Sequence, residues 1–310
     1  MYWPTNWQAI ESCKEEKGME NKPISAFDVI LAVALGVVCV TCVLPFVHLL
    51  AVSFSSSSAV AAGRVGFLPV DFTTASYEYV ISGGRFLRAM AISLERVFWG
   101  TLLNLLLMVL TAYPLSKSEL VGRKFFVVFF VITMLIGGGM IPTYLLVSNL
   151  GLKDTIWSLI LPGALPVYNM IILMNFIRGL PHELEEAASI DGANAFQTLW
   201  MIIFPLLGPS LATVGLFSMV NHWNDWFNGL IYMSDPLNYP LQTYLQTLLV
   251  DFEQLLQSGS SGDIQAILSK MSARTGRAAQ LFLGALPIMM VYPFLQKHFT
   301  KGLTLGSVKG

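Results

Sequence analysis

This sequence predicts an all-α polytopic membrane protein with six transmembrane helices. Three observations predict it. Of the 310 residues 55% are hydrophobic, only 12% are charged, and the charges are missing from six long stretches. An ordinary soluble domain carries about 25% charged residues. With 18 basic and 19 acidic residues there are too few charges to cover a soluble globule of this length. The composition argues against disorder, a collagen-like fibre and a soluble enzyme. A net charge of -1 supplies no general attraction to nucleic acid or to anionic lipid. Cys13, Cys39 and Cys42 are too few for a disulfide framework.

The charge-free stretches are 29–63, 97–116, 125–152, 155–177, 192–224 and 278–296, of 35, 20, 28, 23, 33 and 19 residues. A helix needs about 20 residues to cross a hydrocarbon core of roughly 30 Å. Barrel strands would alternate in hydrophobicity over about ten residues, whereas these stretches are apolar all round. A seventh gap, 236–250, has 15 residues with two prolines, two glutamines and an asparagine; it reads as a loop. The first stretch is not a cleaved signal: Val29 to Val52 is 24 apolar residues, against about 7–15 for a signal's apolar region. Residues 1–28 form a polar N-terminal segment of mixed charge, in which Met19 is an alternative start. Residues 29–296 are the membrane domain, with a polar insert at 232–277 that includes Ser258-Gly259-Ser260-Ser261-Gly262, and 297–310 are a basic tail.

Lysine and arginine set orientation. With the N-terminus inside, the inner segments carry ten basic residues and the outer segments seven, with Arg96 at an outer helix end. This places both termini in the cytoplasm and the insert outside. Gly137-Gly138-Gly139 and Pro142 interrupt the third span, and Pro162 and Pro166 the fourth. Such breakers need protein neighbours to satisfy the freed backbone groups.

Chemistry-bearing motifs are scarce. There is no phosphate loop and no H-E-x-x-H. Cys39-Val40-Thr41-Cys42 has zinc-like spacing but no second pair of ligands, and reads as small packing residues. No metal, cofactor or catalytic centre is expected. Glu95 and Arg96, near the start of the second stretch, read as locally structural, pairing with other groups or snorkelling. Asn221, Trp223, Asn224 and Asp225 close the fifth stretch. A mid-bilayer charge costs roughly 2.5–3.5 kcal/mol, so Asp225 belongs near the outer end, facing protein or water. Aromatic faces and amides suit a polar solute, making these four candidates for a cavity wall; hydrogen bonding between helices or a contact with a partner membrane subunit is the structural reading.

The most informative stretch is 181–205. Pro181 suits a first helical turn, and Glu183, Glu185 and Glu186 favour its positive end. Ala187 and Ala188 permit close approach by a partner. Asp191-Gly192 breaks the helix, since glycine accepts a left-handed backbone. A second short helix, Ala195 to Trp200, leads back to the membrane. The product is a helix–turn–helix elbow between spans four and five.

The run Glu186-Ala187-Ala188, then Asp191-Gly192-Ala193 and Ile202-x-Phe204-Pro205, resembles the EAA loop of binding-protein-dependent ABC importer permeases, with Phe204 where leucine is usual. Ala112-Tyr113-Pro114, Ile141-Pro142-Thr143 and Trp223-Asn224-Asp225-Trp226 are similar to further stretches of that family. The ending Gly302-Leu303-Thr304 resembles the carbohydrate branch, the maltose permease G type. The insert resembles the subgroup holding the lipoprotein/oligosaccharide permeases and the alginate importer. The resemblance implies a bacterial plasma-membrane subunit with a homologous second permease, two cytoplasmic ATPase subunits and an extracellular binding protein that delivers a sugar. Residues 183–200 would be the coupling loop, with Glu183, Glu186, Ala187, Ala188, Asp191, Gly192 and Ala193 meeting an ATPase. Other readings are an importer of another solute such as a peptide, an ion-coupled secondary transporter, and a membrane enzyme acting on lipid-linked sugars. The last two need paired ionisable residues or carboxylate and histidine clusters, and the charges here are isolated.

Overall fold

A computed structural model describes residues 26–82, 84–248 and 274–290, and these are helices joined by turns and short irregular links. The rest of the polar N-terminal segment, most of the insert and the tail 297–310 lie outside the described residues. The chain divides into two units, residues 1–48 and 49–310. The helix Ala26–Ser53, most of which belongs to the first, begins with Asp28 in its first turn and carries Pro45 inside it. Thr41 turns its hydroxyl back onto the Val37 carbonyl (2.9 Å), so the zinc-like pair Cys39 and Cys42 sits in continuous helix with both thiols free.

The second unit is organised by one long helix, Arg85–Ser116. Ala89, Ser93, Arg96, Gly100, Asn104, Met108, Ala112 and Leu115 are all buried along it. Their spacing of three and four residues draws one stripe down a single face. The stripe is mostly small or polar, the pattern that lets helices approach closely where apolar burial alone gives no preference. It packs against Gly208–Asn224, which buries Ser210, Val214, Gly215, Ser218 and His222. It also packs against Val167–Arg178, which buries Met170, Leu173, Met174 and Ile177. Met108, Val109, Ala112, Leu173, Ile203, Leu207 and Val214 form the centre of that core. Phe98, Trp99, Leu102 and Leu106 point the other way and are exposed, as a face toward hydrocarbon requires.

The breaker residues interrupt helices where expected. Arg123–Leu135 and Met140–Asn149 meet at 106° across the glycine run. Ile156–Gly163 and Val167–Arg178 meet at 52°, with Leu161–Gly163 tightened into a 3-10 turn at Pro162. A third break was not expected: Ala195–Leu206 and Gly208–Asn224 meet at 81°. Among the described residues, two helices are long and apolar enough to cross a membrane, or five if each bent pair is one span. The sixth expected span falls partly outside the described residues; 274–290 is helical. The gap at 236–250, read from sequence as a loop, contains a 3-10 turn, Pro236–Asn238, and a helix over 241–248. Leu241 and Leu245 on that helix pack with Phe86 and Trp223, which is why so short a segment is helical: tertiary burial overrides its length.

Candidate functional site

The elbow is built as its residues dictate. Glu183–Ile190 is helical, with Glu183, Glu185 and Glu186 in its first turn. It ends in a Schellman motif. Gly192 N–H donates to Ser189 (3.1 Å) and Ala193 N–H to Ala188 (2.9 Å), and Gly192 holds φ at +80°. That conformation is the one an ordinary L-residue avoids. Ala188 is buried at 2% exposure, whereas Glu183, Glu186, Ala187, Asp191 and Gly192 are exposed and Ala193 is half-buried. Ile190, Phe196 and Met201 add exposed apolar side chains beside them.

The second arm differs from the short helix expected. Helix begins at Ala195 but does not stop at Trp200: it continues as a π segment, Thr198–Ile203, and then Phe204–Leu206. Pro205 has no N–H to donate back along the helix, and the preceding turn widens to accommodate it. Sequence reading also passed over Asn194 and Gln197. Their side chains form a reciprocal capping box, each accepting the other's backbone N–H at 2.9 Å. The N-x-x-Q spacing before an apolar run is the signal that could have found it.

The candidate cavity residues are not brought together as one surface. Trp223 is 5% exposed and packs into the cluster with Phe86, Ala89 and Leu241. Asp225 forms an ion pair with Arg96. Arg96, only 1% exposed, also donates to the carbonyls of Asp225 (2.8 Å) and Leu159 (3.1 Å). Both carbonyls lie at or near helix ends, where backbone acceptors lack partners. The Asp225 carboxylate in turn accepts from the backbone N–H of Asn228 (3.2 Å), starting the helix Phe227–Tyr232. Arg96 thus ties the long helix to two others, while its neighbour Glu95 is exposed. Asn221 and Asn224 are the two cavity candidates left exposed.

One turn below Arg96, Gly100 faces His222. A methyl group on Gly100 would lie 2.5 Å from His222 Nε2, so only glycine fits there. Asn104 completes the junction. With its amide oxygen accepting from His222 Nε2 (3.2 Å), its nitrogen donates to the carbonyls of Gly100 and Ala164, 3.0 Å each. The Ala164 carbonyl belongs to the broken helix at Pro162 and Pro166, and Asn104 is the neighbour that such a break demands.

At the opposite end of the long helix, Lys117 forms an ion pair with Glu185 of the elbow, and its ammonium lies 4.5 Å from the centre of the Tyr113 ring. Among the described residues no group of three or more His, Cys, Asp or Glu side chains is arranged to hold a metal ion.

Helices long and apolar enough to cross a membrane, broken apolar helix pairs and an exposed helical elbow point to a class: an all-α membrane component. The comparisons narrow it. Residues 89–305 match the family described as the binding-protein-dependent transport system inner membrane component. The chain belongs to that family of ABC importer permeases. It is 37% identical over 286 residues to the polygalacturonan/rhamnogalacturonan transport system permease protein YtcP of Bacillus subtilis, covering 92% of this chain and 98% of that protein. It is 42% identical over 287 residues to Protein LplC of the same organism, covering 92% and 95%. Among solved structures it is similar to a bacterial ABC transporter involved in the import of the acidic polysaccharide alginate. The TM-score is 0.79 and the identity 31%, over 90% of this chain and 98% of that one.

Proposed function

We propose that this chain is one permease half of an ATP-driven importer that takes up a sugar or oligosaccharide delivered by an extracellular binding protein. The observation that carries it is the elbow at 183–200: an acidic helix closed by a left-handed glycine and followed by a capped second helix. Its Glu186-Ala187-Ala188 and Asp191-Gly192-Ala193 resemble the EAA pattern, and it presents an exposed apolar rim at Ile190, Phe196 and Met201. A rigid elbow of this kind transmits a partner's rigid-body motion. The carbohydrate reading is supported by two relatives, whose names and titles state polygalacturonan or rhamnogalacturonan transport and alginate import.

On this reading the chain crosses the bacterial plasma membrane six times with both termini inside, and the insert 232–277 lies outside. Glu183, Glu186, Ala187, Asp191, Gly192 and Ala193 meet one of two ATPase subunits, which carry out the hydrolysis, while Ala188, expected from sequence to join them, is buried within this chain. A homologous permease completes the pathway. Asn221 and Asn224 are the members of the cavity set free to meet passing solute, while Trp223 and Asp225 hold the wall behind them.

The test is reconstitution with the neighbouring permease, ATPase and binding protein, measuring ATP hydrolysis and uptake against a panel of oligosaccharides. Loaded binding protein is expected to stimulate both. Replacing Gly192 with valine imposes a strain of about 1–3 kcal/mol on the turn, and is expected to abolish stimulated hydrolysis while the protein still inserts. Uptake that persists without any ATPase overturns the proposal.

A further inference from the structure

We propose that Glu185, and not only the exposed glutamates beside it, is a positioning residue for transport. Through Lys117 it links the elbow to the long helix Arg85–Ser116, and this ion pair is the joint by which elbow movement reaches the membrane core. The inference rests on the reading of 183–200 as the coupling loop.

The geometry is specific. The last turn of the long helix leaves carbonyls without helical partners and carries a partial negative charge. Two arginines answer it. Arg123, from the start of the next helix, donates Nε to the Leu115 carbonyl at 3.0 Å, and Arg178, at the end of Val167–Arg178, donates Nη2 to the same carbonyl at 3.3 Å. Arg178 Nη2 also lies 3.2 Å from Met174 Sδ. The Leu115 carbonyl is therefore satisfied without the Lys117 side chain, and the Pro114 carbonyl accepts from the Lys117 backbone N–H at 3.1 Å. The Lys117 ammonium is left to meet Glu185, steered by the face of Tyr113.

Of the three glutamates in the elbow's first turn, Glu183 and Glu186 are exposed and Glu185 is half-buried. Only Glu185 turns inward to the membrane domain. The paired side chains keep 27% and 23% exposure. Water still reaches them, so the pair can part and re-form as the elbow tilts, unlike a fully desolvated pair. Force arriving at Glu185 passes to a helix whose buried stripe runs the whole length of the core, reaching Arg96 roughly 30 Å away along the axis.

The test uses the assembled importer in proteoliposomes and reads the ratio of solute taken up to ATP hydrolysed. Lys117→Glu and Glu185→Lys are each expected to lower that ratio by about fivefold, the factor that about 1 kcal/mol represents. The double exchange is expected to return it to within about twofold of the original, and the charge-conserving Lys117→Arg, a control outside the two charge reversals judged next, to leave it there. Single variants that keep the ratio, or that lower it with no recovery in the double exchange, overturn the inference. If the single variants purify without the ATPase, the ratio of the double exchange decides in the same way. Gly192→Val separates the two readings. If it abolishes stimulated hydrolysis while the charge exchanges do nothing, the coupling loop stands and the Glu185 joint falls. If Gly192→Val is silent, the coupling-loop reading itself has failed.

Discussion

The long helix carries one ion pair about three turns in from its start, at Arg96, and another just past its end, at Lys117, and the two differ in how their basic partner is held. Arg96 is enclosed: its guanidinium is 1% exposed and donates to two carbonyls, while its partner carboxylate, 21% exposed, also starts the next helix. Lys117 and Glu185 touch through single atoms, and each remains about a quarter exposed. A desolvated charge with several fixed acceptors cannot let go without leaving a buried ion unpaired, which is very costly. A pair with both partners about a quarter exposed loses little when water replaces a partner. The first is suited to hold helices in place and the second to link parts that move.

Breaking the enclosed pair is the severest way to test that contrast. Asp225→Ala leaves Arg96 buried and uncompensated, and is expected to cost about 3–5 kcal/mol. The readout is thermal unfolding in detergent together with the amount of protein in the membrane. Replacing both partners by apolar residues, Arg96→Met with Asp225→Leu, is expected to recover much of the loss. Truncating Lys117 to alanine should instead change unfolding by less than about 1 kcal/mol, and its effect belongs to coupling. Equal losses at the two ends would erase the distinction.

A smaller effect is expected one turn along from Arg96. Gly100→Ala drives a methyl group into the His222 ring, and overpacking of this kind costs about 1–3 kcal/mol. Melting in detergent measures it, and pairing Gly100→Ala with His222→Ala is expected to relieve the clash.

The smallest effect lies in the link after Met140–Asn149. Asp154 accepts from the backbone N–H and hydroxyl of Ser234. The backbone hydrogen bond from Ser234, then its hydroxyl, holds the Asp154 carboxyl below the usual carboxylate range. A depressed acid stabilises the fold above its unfolded value, about 3.9. That contribution is lost as pH falls through the lower folded value. Asp154→Asn is therefore expected to lower the melting temperature slightly at neutral pH, with the difference from the parent protein shrinking as pH falls below about 3.9. A difference that persists in acid would assign Asp154 another role.

Much of this was legible from residues alone. The charge-free stretches marked the helices, because a hydrocarbon core excludes Asp, Glu, Lys and Arg whatever the packing. Gly137-Gly138-Gly139, Pro162 and Pro166 marked breaks in helices, and Asp191-Gly192 marked the turn, because these are backbone properties carried by the residue itself. The bend before Gly208 was missed: Pro205 alone does not say whether a helix kinks, widens or ends. The helix at 241–248 was missed because its reason is Leu241 and Leu245 packing against residues far away in the chain.

What the amino-acid order determined by itself was local: which segments are apolar enough for lipid, where the backbone bends, and the elbow with its Schellman turn. What only the tertiary structure decided was partnership. Arg96 meets Asp225 across 129 positions, Lys117 meets Glu185 across 68, and Asn104 meets His222 across 118. No periodicity encodes such separations, because which buried charge finds which counter-charge depends on how whole helices pack, and that is settled by the shapes of their faces together.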